Sequence, residues 1–304
     1  MTTLTEHRVR LPLRVPLGGS KHRDAVLLHG PMGWGEWSPL PGYPSDPATC
    51  RRAAEEAASA PWPAPVRSRV EVNALVPGVG PDEAAALAAA AASDGYSSFK
   101  VKVGDDADHV PGRISADVDR VAAVRNAVGP RARLRVDANG AWRIADIAVL
   151  AVARMSRFGL ELVEQPVPTL EGLAEVRRRV PVPVAADECV RDVDDARRLA
   201  ELGAADALVV KVQPLGGVGA ALQVAEAAGV AVIVSSMHET SIGLAAGLAL
   251  AAALDELPYA CGLGTAALFA ADVVVEPLVP IAGVLELRRP DPDPERLERY
   301  GVGG

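Results

Sequence analysis

From Arg69 onward the chain cycles between two hydrophobic patterns. Short, mostly apolar runs alternate with longer stretches in which apolar residues recur at helical spacing, such as DEAAALAAAAASD, ADVDRVAAVRNAV and DVDDARRLAELG. The runs predict strands at 69–75, 98–103, 133–137, 160–164, 183–187, 207–211, 231–235 and 259–262. Their ends fall roughly 23 to 35 residues apart, the length of one βα unit. Eight strands with seven clear helices predict a barrel rather than an open sheet, the eighth helix being absent or very short. An open doubly wound sheet would call for a phosphate loop after its first strand, and no GxGxxG or GK[ST] motif is present. Gly216, Gly217 and Gly219 in PLGGVGA lack that spacing and predict a tight βα turn, with backbone binding of an anion as the alternative.

The first 66 residues follow another rhythm. HRVRLPLRVPL alternates, GGSKHRD predicts a turn, and AVLLHGPMGWGEWSPLPGY predicts a further strand pair broken by Gly and Pro. A helix follows from about Pro47 to Ala60, with Asp46 or Ser45 as its cap. These patterns divide the chain into an α+β module (1–66), a barrel (67–270) and a C-terminal segment (271–304) that returns to the module.

The ends of the barrel runs carry charge. A buried parallel strand is nearly all apolar, yet SSFKVKVG holds Lys100 and Lys102, RLRVDANG ends at Asp137, LELVEQP holds Glu164, VPVAADE holds Asp187, and ALVVKVQP holds Lys211. Side chains alternate along a strand, so Lys100 and Lys102 share a face, as do Arg133, Arg135 and Asp137. The outer face of a barrel strand packs on helices, which leaves the interior for these charges. Charge there is costly unless paired or metal-bound, and the C-terminal ends of barrel strands are where such folds do chemistry. Three carboxylates on consecutive strands predict a Mg²⁺ site made by Asp137, Glu164 and Asp187. Zinc would more often recruit His or Cys, and neither lies at those ends. A bound metal that ligates a substrate carboxylate makes the adjacent carbon acidic, and Lys102 and Lys211 are the candidate acid/base groups. Elimination, racemisation and cycloisomerisation all begin this way. A barrel that merely bound metal would have no need of an amine on each side. Ser235 and Ser236 in VIVSSMHETSIG are candidate ligands for a substrate carboxylate or carbonyl. His238, just beyond, is a weaker candidate base, and the Lys21–His22 loop could reach over the mouth.

Composition narrows the partners. Hydrophobic residues are 49% and aromatics only 4%, so Ala, Val and Leu must build the core. Lys and Arg number 31 against 39 Asp and Glu, a formal charge of -8 that argues against nucleic-acid binding. The clusters Arg177–Arg179 and Arg197–Arg198 fall on helical patterns and should face solvent. Cys50, Cys189 and Cys261 are far apart with no CxxC pair, which indicates neither a disulfide framework nor a zinc knuckle. The opening MTTLTEHRVRLPL has no continuous apolar stretch, and the Ala84–Ala92 and Gly243–Leu254 runs are too short to cross a bilayer. A cytoplasmic protein acting on a small-molecule carboxylate, with no membrane partner, is the expectation.

In order and spacing, the set Lys100, Lys102, Asp137, Glu164, Asp187 and Lys211 resembles the enolase superfamily, specifically its muconate-lactonizing branch. The resemblance covers essentially the whole chain. It implies a modified (β/α)7β TIM barrel with an α+β N-terminal capping domain closed by the C-terminal tail, as a monomer or homo-oligomer. It implies Mg²⁺ on Asp137, Glu164 and Asp187, and Lys102 and Lys211 as catalytic residues. Within the branch the short chain resembles the compact synthases that dehydrate a hydroxylated cyclohexadiene carboxylate to an aromatic product. Three features carry that likeness: the RLPLRVPLGG…GWGEWSPLPGY opening, the Arg135–Asp137–Asn139 pattern and SSMHETSIG. It implies syn elimination with Lys102 as the single acid/base and Lys211 as a cation over the opposite face. Lys100 would lower the pKa of Lys102 and bind the substrate carboxylate, with Arg135, Asn139, Ser235 and Ser236 as further substrate-binding residues. N-acylamino acid racemases and dipeptide epimerases of the branch are the alternative. The epimerases would want acidic residues near CGLGTAALF, which has none. Two departures stand out: the long step from Lys102 to Asp137, where DDADHVPGR resembles an insertion, and the short cap loop LGGSKHRD.

Overall fold

A computed structural model of the chain describes residues 4–104 and 111–303; most of the DDADHVPGR insertion, including His109, lies outside them. The chain opens with β1 (Thr5–Leu17), β2 (Ser20–Gly30) and β3 (Gly33–Trp37), an antiparallel sheet in that order. SKHRD, expected in a turn, belongs to β2, because Gly18 and Gly19 alone make the reversal with φ of 54° and 82°. Alternation gives this sheet two apolar faces. Val9, Leu11, Ala25 and Leu27 pack toward Ile242, Phe269 and Val273. Val26 and Leu28 pack on Ala54 and Ala58 of α1 (Pro47–Ser59). Asp46 caps α1 by accepting from the Ala48 and Thr49 amides, ahead of Pro at the first turn. The close approach of α1 to β3 depends on Gly35, where a Cβ would stand 2.0 Å from the Ala54 carbonyl oxygen.

The barrel follows. Its staves are β5 (Ala74–Val76), β6 (Ser98–Lys102), β7 (Arg133–Asp137), β8 (Leu160–Glu164), β9 (Val184–Ala186), β10 (Ala207–Lys211) and β11 (Ala231–Ser235), parallel and hydrogen-bonded in chain order. The helices between them are α2 (Pro81–Ser93), α3 (Pro111–Val128), α4 (Ala145–Ser156), α5 (Leu170–Arg177), α6 (Val193–Leu202), the single turn α7 (Val212–Leu215) with α8 (Val218–Ala228), and α9 (Ser241–Ala253). Arg177, Arg178, Arg179, Arg197 and Arg198 face solvent, as expected. The predicted first stave, 69–75, is broken at buried Asn73: β4 (Arg69–Glu71) leaves the barrel to pair with the tail strand β12 (Val284–Glu286). The predicted eighth stave shrinks to two bridges, Ser235 with Gly262 and Val72 with Cys261. Those bridges join β11 to the residues before β5 and close the ring. The lower interior is filled by Leu162, Ala185, Ala207, Val209 and Ile233. The resulting architecture is a modified (β/α)7β barrel with an α+β N-terminal cap, and no helix among the described residues is long and apolar enough to cross a membrane.

After a 3₁₀ turn at Thr265–Leu268 the tail runs back over the cap and ends in α10 (Pro294–Tyr300), with Val9 bridged to Gly301. Cap and tail both seat carboxylates on barrel helix N-termini. Glu36 of β3, 2% exposed, accepts from Thr240 N and Oγ1 and from Gly243 N at the start of α9. Asp272 accepts from Ser241 N and Oγ. Glu56 of α1 accepts from Gly219 N at the start of α8, so the anion at PLGGVGA is the cap's own side chain. Gly217, with φ of 133°, leaves the space Glu56 occupies. Helix N-termini carry free amides and partial positive charge, which these carboxylates satisfy. Glu36→Ala strips that partner from two amides and two hydroxyls, those of Thr240 and Ser38, in a dry seam. It should lower unfolding free energy by about 3 kcal/mol, measured by urea denaturation.

Candidate active site

Register aligns Lys102, Asp137 and Glu164 directly, and Asp187 and Lys211 stand at the same end of the next two staves. Lys102 is paired with Asp137, Asp137 with Glu164, and Lys100 with Arg135 one layer below. In a ring of eight staves, β6 with Lys102 stands opposite β10 with Lys211, and Asp137, Glu164 and Asp187 lie on the arc between them. The carboxylates are sealed from solvent: Asp137 is 0%, Glu164 1% and Asp187 2% exposed. Each is neutralised by an ammonium. Lys102 Nζ donates to Asp137 Oδ2 at 2.6 Å. Lys100 Nζ donates to Glu164 Oε1 at 3.0 Å and lies 3.2 Å from Asp137 Oδ2. Lys211 Nζ donates to Asp187 Oδ1 at 2.7 Å.

The pKa directions follow from this crowding. Burial works against the Asp137 carboxylate, but Lys102 and Lys100 outweigh it and hold its pKa below the ordinary value. Burial raises the pKa of Glu164, and Asp137 alongside raises it further. Burial likewise raises that of Asp187 against the pull of Lys211. Burial disfavours the Lys100 and Lys211 ammoniums, yet Glu164 beside the first and Asp187 beside the second keep both pKa values above the ordinary lysine range.

Among the described residues, no three His, Cys, Asp or Glu side chains are drawn together as a cation cage. The expected carboxylate cluster is instead interleaved with ammoniums. The donor set nonetheless suits a hard divalent cation. Asp137, Glu164, Asp187 and Glu188 set four carboxylates against three ammoniums, and buried Glu188 Oε2 has no hydrogen-bond partner. All-oxygen donors of this kind match Mg²⁺.

The other sequence candidates divide. Asn139 joins the site: its Oδ1 accepts from Lys102 Nζ at 2.7 Å and its Nδ2 donates to Glu188 Oε1 at 2.7 Å. Ser235 and Ser236 stand at the end of β11, but both hydroxyls donate to the Gly262 carbonyl. Half-buried His238 neighbours the lysines; burial, with Arg23 and Lys102 nearby, lowers its pKa to about 4. The structure does not bring Arg135 to the site, contrary to the expectation of a substrate-binding role. Fully buried, it donates to Glu161 and to the Ala260 carbonyl and stacks over Tyr259, all at the opposite end of the strands. Alternation along β7 assigns Arg135 to the interior but not to a height within it. His22 lines a groove of about 570 Å³ on the cap with Arg8, Arg10 and Trp37, and none of the barrel's charged residues lines it. The three cysteines are free.

Three residues of the site escaped sequence reading. Tyr43, from the cap, donates its hydroxyl to Asp187 Oδ1 at 2.9 Å. Gln165 Oε1 accepts from the Asp187 amide at 2.6 Å, and Glu188 receives Asn139. The signal for Gln165 and Glu188 was adjacency to a stave-end acid; for Tyr43 none existed beyond its place in a Pro- and Gly-rich loop. Positive φ values at Asn139 (45°), Gln165 (38°) and His238 (58°) concentrate backbone strain at three stave ends of this mouth.

Comparison with known proteins agrees with this geometry. Residues 83–294 match the family model described as Enolase C-terminal domain-like, and 8–58 match Enolase N-terminal domain-like. A Thermobifida fusca protein named o-succinylbenzoate synthase is 52% identical over 303 residues, covering 98% of this chain and 92% of the relative. One of the same name from Mycobacterium marinum is 43% identical over 298 residues, covering 97% and 88%. Among solved structures, muconate lactonizing enzyme from Pseudomonas putida superposes with a TM-score of 0.85 at 24% identity over 99% of each chain. The L-Ala-D/L-Glu epimerase of Bacillus subtilis gives 0.84 at 25% identity over 99% of this chain and 98% of its own. Matched by the two models over most of its length, and 52% identical to a relative over nearly the whole of both chains, the chain belongs to the enolase superfamily.

Proposed function

We propose that the chain is an o-succinylbenzoate synthase, a lyase of menaquinone biosynthesis. It would convert 2-succinyl-6-hydroxy-2,4-cyclohexadiene-1-carboxylate to 2-succinylbenzoate and water. The observation that carries this reading is the 52% identity, over nearly the whole length of both chains, to a relative of that name. The charge pattern of the barrel mouth supports it but is shared with other reactions of the superfamily. Asp137, Glu164 and Asp187 are the residues that would hold Mg²⁺. When bound, the ion supplies Lewis-acid stabilisation of the negative charge that grows on the substrate carboxylate.

In this reading Lys102 removes the proton alpha to the ring carboxylate. The C–H electrons become part of the forming aromatic ring, and the C–O bond to the hydroxyl breaks. Lys102 returns its proton to that hydroxyl on the same face, which leaves as water, so one side chain serves as base and then acid. Asn139 and Asp137, both hydrogen-bonded to Lys102 Nζ, aim it. Lys211 is a fixed cation on the other side, facing the electron-rich ring. Lys100 is assigned to the substrate carboxylate, and Ser235 and Ser236 line the rim. A racemase or epimerase reading is favoured by the position of Lys102 and Lys211 on opposed staves and by neighbours of that kind among solved structures.

Purified protein given the cyclohexadiene substrate should consume it in an ultraviolet assay, lose turnover in EDTA, and recover it with Mg²⁺ or Mn²⁺. Full activity in metal-free protein would refute the metal role, and turnover of N-succinyl amino acids alone would favour the racemase.

The lysines can be told apart by substitution. Lys102→Ala should reduce dehydration by roughly 10³-fold or more, since both proton transfers go. Lys102→Arg should be nearly as poor, because guanidinium does not act as a base near neutral pH. Lys211→Arg should retain more activity than Lys211→Ala; equal damage from the two would show that Lys211 also moves protons.

A further inference from the structure

Tyr43 lies in the cap segment between β3 and α1, and its side chain crosses to the barrel. Its hydroxyl donates to Asp187 Oδ1 at 2.9 Å and accepts from Lys211 Nζ at 3.3 Å. The same ammonium stands 4.4 Å from the centre of the ring. One cap residue thus meets Lys211 twice, through the edge of its hydroxyl and the face of its ring. Burial and the carboxylates of Asp187 and Glu188 push the phenol pKa up. The hydroxyl therefore keeps its proton and needs an acceptor, which Asp187 supplies.

The segment that delivers Tyr43 is anchored to the strand end that delivers Lys211. Ser38 N donates to Gln213 Oε1 at 2.9 Å, and Gln213 Nε2 donates to Ser38 Oγ at 3.1 Å and to Glu239 Oε1 at 3.2 Å. Gln213 lies two residues beyond Lys211. Buried Arg23 holds the Ser38 and Pro39 carbonyls together with those of Met237 and His238. The cap segment is therefore fixed against staves six and seven before it reaches Tyr43.

We propose that Tyr43 is a positioning residue for Lys211, seated from the cap so that the direction of the ammonium within the barrel mouth is set by the hydroxyl and ring of a cap residue. This rests on the role given to Lys211 above. A lysine has a long, rotatable stem. Asp187 holds its end from one side through both carboxylate oxygens, and the hydroxyl and ring of Tyr43 add a second surface that fixes its direction.

Two substitutions separate the contacts. Tyr43→Phe keeps the ring and removes the hydroxyl; Tyr43→Leu removes both. In full-length protein with saturating Mg²⁺, kcat should fall about 10-fold for Tyr43→Phe and about 100-fold for Tyr43→Leu, with KM changed less than about 3-fold. In a Lys211→Ala background either substitution should cost less than about 2-fold more, since the group through which Tyr43 acts is gone. Calorimetric titration with Mn²⁺ supplies a readout apart from turnover. Loss of the hydroxyl that orients Asp187 should weaken binding about 10-fold in Tyr43→Phe. Unchanged kcat in Tyr43→Leu, or its full penalty persisting without Lys211, would overturn the assignment. If the wild-type protein turns over no substrate, the proposed function fails, and the Mn²⁺ titration alone decides for or against Tyr43.

Discussion

Charge confined inside one end of a closed barrel governs the rest of this molecule. Water cannot neutralise Asp137, Glu164 and Asp187, so protein groups must, and the staves from β6 to β10 have to bring their charges to the same end of the barrel. Asp137 and Glu164 are direct neighbours across β7 and β8 and would repel; Lys100, one layer down on β6, reaches both. A one-residue slip of any stave would turn its charge outward among the helices and bring an apolar side chain inward. The register of the parallel sheet is thus fixed as much by ion pairing inside as by packing outside.

The cap is joined to the barrel by the same logic. Glycines 217 and 219 open α8 without a side-chain cap, and Glu56 supplies the missing acceptor from another part of the chain. At α9 the Thr240 cap is supplemented by Glu36 and Asp272. Glu239 lies beside Glu36; burial, and then that neighbour, push its pKa up to about 7. Arg23 uses its guanidinium on four carbonyls, two of the cap and two of the barrel. The seam is polar, dry and directional, which suits a cover that must place Tyr43 with precision rather than slide.

Much of the fold was legible because two rules leave strong marks: period-two alternation with charge at the ends of apolar runs, and helical spacing between them. The six-residue charged set was readable for the same reason. What escaped depends on distance in three dimensions. Alternation gave Arg135 its face but not its height, and the guanidinium follows Glu161 and Tyr259 to the opposite end. The closing stave is two bridges long, too short to leave any pattern. Tyr43 acts from a loop, where no periodicity marks which residue will reach inward. Glu36 left a trace, a lone acid inside the strand GWGEW, whose meaning depends on α9, some two hundred residues later.

The return of the tail has a consequence for how the protein is made. β1 leaves the ribosome roughly 250 residues or more before its neighbours Phe269 and Gly301. Val302 N donates to the Arg8 carbonyl, and β12 pairs with β4 only after the whole barrel lies between them. During synthesis the early hairpin must therefore wait, with Val9, Leu11, Ala25 and Leu27 lacking their later partners, for roughly 250 residues or more. At typical elongation rates that is on the order of ten seconds or more. The nascent cap is an aggregation-exposed intermediate by construction, and its basic outer strand, with Arg8, Arg10 and Arg14, is the part of it that resists pairing with another copy.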